Sequence, residues 1–202
     1  MSIKKIGCFA HTLNIAAQKL STITSVSQWA GRIRAMVVWL KRSTLAKPIL
    51  KEKQHLLGLP EHAVILDVKT RWNSLFLMVE RFLEQFSAFQ ATSMDHRLKK
   101  LMDKDRLQRI SDEDFRKAEE FVKITKILYT STLCVSAERS QNLGQILPIL
   151  NKLQHHFTVN KEDSSFTKTI KDPIWNDLSK RYQGCSVILL NLLLFSLELF
   201  SD

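Results

Sequence analysis

The stretch that decides the fold is "DVKTRWNSLFLMVERFLEQ", residues 67–85. From Trp72 onward its apolar residues recur at helical spacing, which predicts an amphipathic helix over 72–92. Directly before it, "AVILDV" (63–68) is short, β-branched and ended by polar residues, and it is the one segment that predicts a strand. Arg71 and Trp72 stand side by side where the two meet. The question is whether this pair only begins a helix or also binds something.

Helices are predicted on both sides of this stretch. One ends at Gly58 and carries Pro48 in its first turn, one begins after an N-cap at Ser111, and one is interrupted by Pro148. Residues 95–110 predict a solvated helix or a mobile hinge. With only five Gly and four Pro, the composition favours helices over a turn-rich sandwich, so the fold class is mainly α. Together with 72–92, the predicted helices are 8–20, 24–43, 44–57, 112–134, 141–157 and 173–183, with a loop over 158–172.

Positive charge is concentrated in the first half of the chain. The net charge is +10 over 202 residues, but residues 1–110 hold 19 Lys and Arg against 8 Asp and Glu, a net of +11. Residues 111–202 hold 11 against 12, a net of −1. A basic half suggests a polyanionic partner, nucleic acid first, although a solvated lysine-rich surface produces the same count.

The cysteines and the apolar tail narrow the class of protein further. Three widely spaced cysteines form no disulfide framework and fit a reducing, intracellular compartment. The N-terminal residues lack the apolar stretch of a secretory signal. The tail "VILLNLLLFSLELF" has 14 residues, fewer than the roughly 17–25 needed to span a bilayer. No membrane attachment is therefore predicted.

Metal and catalytic motifs are sparse. Cys8 and His11 form a C-x-x-H pair, but a structural zinc site takes four ligands and no second pair exists, so no metal and no cofactor are predicted. There is no nucleophile elbow and no glycine-rich phosphate loop. Asp67 ends the predicted strand, where a metal ligand could stand, but one acid on one strand is interpreted as a turn or helix-entry residue.

Two interpretations of the Arg-Trp pair stay open on the residues alone. In the first, Arg71 forks onto a phosphate and Trp72 stacks on an unpaired base. In the second, Trp72 begins the helix with its ring on the core, and Arg71 is solvated.

Read in order, the segments resemble a known family. "CFAHTLNIAAQKL", "GRIRAMVVWLKRST", "LKEKQHLLGLPEHAVILDVKTRWNSLFLMVERFLEQ" and "TSTLCVSAERSQNLGQILPILNKL" are similar to the central region of hAT-superfamily DNA transposases. They are most similar to the domesticated vertebrate descendants, the zinc finger BED domain-containing proteins. The likeness covers residues 6–183 in collinear order.

The resemblance implies a BED zinc finger, an RNase H-like core interrupted by a helical insertion, and a C-terminal dimerisation segment. It implies three acids with divalent metal, the C-x-x-H motif (Cys8, His11) near that site, and Arg71 and Trp72 at the start of the insertion. There the family's Trp stacks on a flipped base. We predict five nucleic-acid-binding residues, including two arginines of the 24–43 helix: Arg71, Trp72, His11, Arg32 and Arg34.

The departures from the family shape the functional prediction. The first two acids, the BED finger and the dimerisation segment are expected to lie outside this chain. Glu138 is rejected as the third acid because its surroundings match the insertion, and the pattern is lost from Gly184 onward. The predicted division is a partial RNase H-like core region (1–70), a helical insertion domain (71–183) and a divergent tail (184–202).

The sequence thus predicts a catalytically inactive, transposase-derived nuclear fragment that binds DNA weakly, with full-length relatives that bind DNA and regulate transcription. The alternative is a helical module that binds protein partners and no DNA.

Overall fold

The computed structural model describes residues 9–68, 70–137 and 143–198, with side chains described for 9–68, 70–136 and 146–182. Cys8 and Glu138 lie outside these residues, as do the side chains of the 184–202 tail, Cys185 included. The described residues form helices and contain no strand, which confirms the mainly α prediction. The helices are α1 (Phe9–Gln18), α2 (Thr24–Arg42), α3 (Ala46–Leu56), α4 (Trp72–Glu84), α5 (Phe86–Ser93), α6 (His96–Lys104), α7 (Asp112–Ala137), α8 (Leu143–Phe157) and α9 (Ser165–Glu198), with a 3-10 turn at Lys19–Thr22.

The chain forms two compact units. The central unit is Leu20–Lys126, and the terminal unit combines Met1–Lys19 with Ile127–Asp202. Helix α7 contributes to both. This partition follows contacts within the chain, whereas the predicted division at residues 70 and 183 refers to a larger RNase H-like core and stays a prediction.

The core of the central unit is built from the predicted apolar faces. The stripe on α2 is buried along its whole length, and so is the face of α4 that packs against it. Helix α3 packs against α5, and aromatic rings join the layers, with 4.5 Å between the ring centroids of Phe86 and Phe115. The buried residues are Val26, Trp29, Ile33, Val37 and Leu40 on α2, and Leu75, Met78, Val79 and Phe82 on α4.

The predicted strand at 63–68 is wrong. These residues adopt no regular secondary structure, and Leu66 and Val68 are 37% and 50% exposed. β-branched residues favour a strand only where a neighbouring strand pairs with them, and no described segment does so here. Side chains of α4 hold this segment instead: Arg81 Nη1 donates to Ala63 O (3.0 Å), and Ser74 Oγ accepts from Val68 N (2.7 Å).

The helix predicted over 72–92 is two helices that meet at Gln85. The Gln85 side chain is fully buried, donates to Pro60 O (3.1 Å) and accepts from Gln54 Nε2 (2.9 Å). A buried amide needs such partners, and they fix the break at this residue. Beyond it, the charged stretch from 95 forms a helix, capped by Asp95, whose carboxylate accepts from Arg97 N.

In the terminal unit, α9 packs against α1 and α8. Helix α9 begins at Ser165, eight residues before the predicted start, because Ser164 Oγ accepts from Thr167 N (3.0 Å) and the helix buries Phe166 and Ile170. Pro173 lies inside it, as Pro148 lies inside α8. No helix among the described residues is both long enough and apolar enough to cross a membrane.

Candidate nucleic-acid interface

Arg71 stands at the end of a turn that Ser74 holds in place. Arg71 N donates to Val68 O (2.8 Å), and this hydrogen bond joins the two ends of the turn. Ser74 Oγ accepts from Val68 N, and its single hydrogen lies within reach of Val68 O (2.9 Å) and Arg71 O (2.6 Å). One hydroxyl on the first turn of α4 therefore fixes the backbone of both ends of the turn.

Asp67 fastens the same segment to α2. Arg34 donates through Nε to Oδ1 and through Nη2 to Oδ2, both at 2.6 Å, and the Asp67 side chain is only 2% exposed. The hydrogen bond to Asp67 raises the pKa of Arg34, and this outweighs the opposing effect of burial. Such a forked pair fixes the relative orientation of its two partners. Arg34 therefore acts as a structural clamp between α2 and this segment, and its predicted contact with nucleic acid stays a prediction.

The Arg71 side chain is exposed at this pinned turn. Its backbone is extended (φ −126°, ψ 101°), and it immediately precedes α4. Within the part of the chain that the structure describes, Arg71 makes no ion pair and no side-chain hydrogen bond. Its guanidinium can therefore present a fork of N–H donors to an incoming phosphate.

Trp72 does not present a face for a base. The residue is 4% exposed, and its Nε1 is buried without a hydrogen-bond partner, as is Asn73 Oδ1 beside it. Buried Trp residues usually find a partner for this N–H. In this conformation the indole is part of the core, so base stacking would require it to leave its position.

Arg32 also pairs with a carboxylate. Its Nε lies 3.1 Å from Asp114 Oδ1, and its Nη2 contacts the same oxygen. Asp114 in turn forms a reciprocal cap with Ser111: Asp114 Oδ2 accepts from Ser111 N (3.0 Å), and Ser111 Oγ accepts from Asp114 N (3.2 Å). This confirms the predicted N-cap at Ser111. Arg32 thus supports that cap through its ion pair with Asp114, and its predicted contact with nucleic acid stays a prediction.

Burial disfavours the ionised form of Asp114, but hydrogen bonds from Arg32 and Ser111 outweigh it and hold the pKa of that carboxyl below its ordinary value. The cap is therefore charged at neutral pH and supports the start of α7.

His11 lies exposed on α1 in the terminal unit, and its motif partner Cys8 lies outside the described residues. No group of three or more His, Cys, Asp or Glu side chains that could hold a metal ion occurs among the residues with described side chains. The C-x-x-H prediction is thus left open.

The structure adds cations that the residue-by-residue prediction missed. Five basic residues on α6 and in the segment after it are exposed and make no ion pair within the described residues. Arg97 differs from them because it is bound by Asp95 and Glu52. The signal was visible in the charge of "DHRLKKLMDKDRLQR", but sequence alone does not separate paired from unpaired cations. The five residues are Lys99, Lys100, Lys104, Arg106 and Arg109.

A known protein family matches most of this region. Residues 6–124, more than half of the chain, match the model of the ZBED1 RNase-like helical domain. The chain belongs to this family. The match runs from the residues before α1 into α7, and it contains all five predicted nucleic-acid-binding residues. The predicted relation to hAT-derived zinc finger BED proteins is thereby confirmed.

Relatives of this ZBED1-type helical domain are considerably longer proteins. Zinc finger BED domain-containing protein 4 of Homo sapiens is 25% identical over 86% of this chain and 14% of its own length. Zinc finger BED domain-containing protein RICESLEEPER 1 of Oryza sativa is 26% identical over 91% of this chain and 24% of its own. A Talaromyces stipitatus protein named "Putative transcriptional regulator tpeD" is 27% identical over 73% and 16%.

The chain thus spans between a seventh and a quarter of these curated relatives. No solved structure matches it.

Proposed function

We propose that this chain is part of a transposase-derived nuclear regulator and that it contacts DNA phosphates through Arg71 without cutting the strand. The relatives' names, which refer to BED zinc fingers and to transcriptional regulation, support the regulatory role. The observation that carries the DNA contact is the exposed Arg71 guanidinium, unpaired within the described residues, on a turn fixed by Ser74 and by the Arg34–Asp67 pair.

The fixed turn makes Arg71 a better phosphate ligand than a typical surface arginine. Ordering a flexible loop or side chain on binding costs free energy, and this cost is smaller for a site that is already ordered before the ligand binds. Here Ser74 Oγ accepts a hydrogen bond from Val68 N (2.7 Å) and lies within donating distance of Val68 O (2.9 Å) and of Arg71 O (2.6 Å). The order already present at Val68 and Arg71 lowers the free energy cost of positioning the Arg71 side chain on a phosphate.

The charge of the central unit supplies long-range attraction. Leu20–Lys126 contains 20 Lys and Arg against 13 Asp and Glu, a net of +7. Neutralising DNA phosphates releases counterions, so affinity contributed by these residues falls steeply as salt rises. We therefore expect weak, salt-sensitive binding to single-stranded or hairpin DNA.

Trp72 keeps its predicted stacking role only as a second step. Stacking on a base contributes about 1–3 kcal/mol, and the indole must first leave a buried site. The unpartnered Nε1 reduces the cost of that departure because no hydrogen bond is broken.

The test compares DNA affinity of Arg71→Ala with that of Arg116→Ala, a matched loss of one exposed arginine on α7. We expect Arg71→Ala to weaken hairpin binding by about three- to tenfold and to lower the salt slope by about one. Fluorescence anisotropy across a salt series measures both quantities. An equal loss of DNA affinity in the two variants would show that Arg71 contributes only as one of many surface charges. That result would overturn its assigned role.

A protein-binding module is the second candidate. Exposed leucines at the end of α3 favour it, since Leu56 is 69% and Leu57 is 47% exposed. Absence of DNA binding even at low salt would favour this alternative.

A further inference from the structure

A groove in the central unit combines apolar walls with exposed lysines. Its volume is about 420 Å³, within the range of roughly 300–1,000 Å³ typical of ligand pockets. The apolar lining comes from three elements: Leu40 near the end of α2, Leu50 on α3, and Ala63 and Val64 of the irregular segment. Arg71 and its turn take no part in this groove, so the inference does not rest on the proposed DNA contact.

The irregular wall of the groove is held in place by side chains. Gln54 Nε2 donates to His62 O (3.0 Å), and His62 Nδ1 lies 2.7 Å from Glu84 Oε1. Arg81 Nη1 donates to Ala63 O (3.0 Å). The wall is therefore preformed, and a ligand does not have to order it on binding.

Lysines give the groove its charge preference. Lys41, Lys47 and Lys51 line it, and all three side chains are exposed. Lys41 and Lys47 make no ion pair within the described residues. The Lys51 Nζ lies 3.6 Å from Glu61 Oε2. Both side chains are largely exposed, so this ion pair is weak and a ligand carboxylate can replace Glu61.

Helical spacing sets the pattern of the lysines. Lys47 and Lys51 are four residues apart on α3, which places them on one face of the helix.

The apolar lining of the groove favours a ligand that buries aliphatic or aromatic side chains, which a phosphodiester backbone does not offer. Cations around an apolar groove are complementary to a segment that is apolar on one face and acidic at its edges.

We infer that this groove binds an acidic, amphipathic peptide segment of a partner protein, with the partner's apolar side chains against Ala63 and Val64 and its carboxylates at Lys41 and Lys47. The segment docks in the helix-in-groove manner, with affinity from apolar burial and orientation from charge.

The test uses a fluorescent peptide of about 15 residues with Leu at helical spacing and Glu at the flanking positions. Two further peptides replace either every Leu by Ser or every Glu by Gln. The protein variants are Lys41→Glu/Lys47→Glu and the control Lys99→Glu/Lys100→Glu, which reverses the same charge on exposed residues of α6. All four positions are on the surface, and circular dichroism verifies that each variant folds.

We expect Lys41→Glu/Lys47→Glu to weaken binding of the acidic Leu peptide by about tenfold and the α6 control to change it little. Both substituted peptides should bind more weakly than the parent. Binding that survives the Leu-to-Ser change, or that falls equally in both protein variants, would overturn the inference because charge alone would explain it. Displacement of the peptide by hairpin DNA, with DNA binding lost in Lys41→Glu/Lys47→Glu, would assign the groove to nucleic acid and also overturn it.

Discussion

The charge state of Asp114 is linked to the stability of the fold. Its pKa in the folded chain lies below the ordinary value of 3.8. A carboxyl with a lowered folded-state pKa stabilises the protein above its unfolded pKa, and this contribution is lost as the pH falls through the folded value. We therefore expect acid to weaken the central unit progressively from about pH 4 downward.

Asp114→Asn tests this link. Arg32 then loses its counter-charge, and the free energy of unfolding at neutral pH should fall by about 1–3 kcal/mol. The acid dependence below about pH 4 should also flatten. Urea unfolding at a series of pH values measures both, with the exposed Asp103→Asn as control. An unchanged acid dependence in Asp114→Asn would assign the acid sensitivity to other carboxyls.

At the residue scale, the sequence predicts whether a side chain is exposed better than it predicts which other side chain it contacts. The exposed position of Arg71 follows from its place before a helix. By contrast, Arg34 meets Asp67 across 33 residues and Arg32 meets Asp114 across 82. Periodicity assigns a residue to a face of its own helix, but it does not say which residue of another element faces it. Trp72 illustrates the same limit. Its position at a helix start is compatible both with a ring buried in the core and with a ring exposed for stacking, and the structure shows the buried ring.

At the scale of elements, two glycines differ in the backbone conformation that their positions require, one after the end of a helix and one in a helix interior. Gly58 follows α3 with φ +63°, a left-handed conformation, whereas Gly31 lies within α2. A Cβ added to either meets nothing within 4 Å, so packing does not contribute to either substitution.

The two Gly→Ala substitutions should therefore change stability in opposite directions. Gly58→Ala should lower the free energy of unfolding by about 1–2 kcal/mol, because an L-residue is strained at this φ. Gly31→Ala should raise it by about 0.5–1 kcal/mol, because Ala favours helix. Thermal and urea unfolding of both variants provide the measurement, and each serves as the control for the other. A destabilised Gly31→Ala variant would contradict this account of α2.

Helices with a clear apolar face were predicted well, and the errors have identifiable causes. The stripe on α2 and the end of α3 at Gly58 follow from spacing and from one glycine. The strand at 63–68 failed because strand formation depends on a pairing neighbour, which local composition does not reveal. The break at Gln85 depends on buried amide contacts to Gln54 and Pro60, which are tertiary features.

At the scale of the whole molecule, the most deeply buried acids among the described side chains form ion pairs with Lys or Arg. Asp67 and Asp114 are held by arginines, and Asp95 is held by Arg97 and Lys53. Two-metal strand cleavage needs carboxylates that converge on the ions and are not already neutralised. Among the residues with described side chains, the acids best shielded from water therefore form ion pairs that hold elements of the fold together.

We accordingly expect no strand cleavage when the chain is incubated with hairpin or supercoiled DNA and Mg²⁺ or Mn²⁺, even at concentrations at which DNA is bound. Gel analysis of the DNA measures cleavage, and parallel samples with chelator define the background. Asp67→Asn is the informative variant, because Asp67 is the acid nearest in sequence to the Arg71 turn. Metal-dependent cleavage that disappears in Asp67→Asn would make Asp67 a metal ligand and would contradict the proposed non-cutting role. Metal-dependent cleavage that persists equally in Asp67→Asn, Asp95→Asn and Asp114→Asn would exclude these three carboxylates as metal ligands. It would also contradict the non-cutting role unless it is absent from a separately purified preparation.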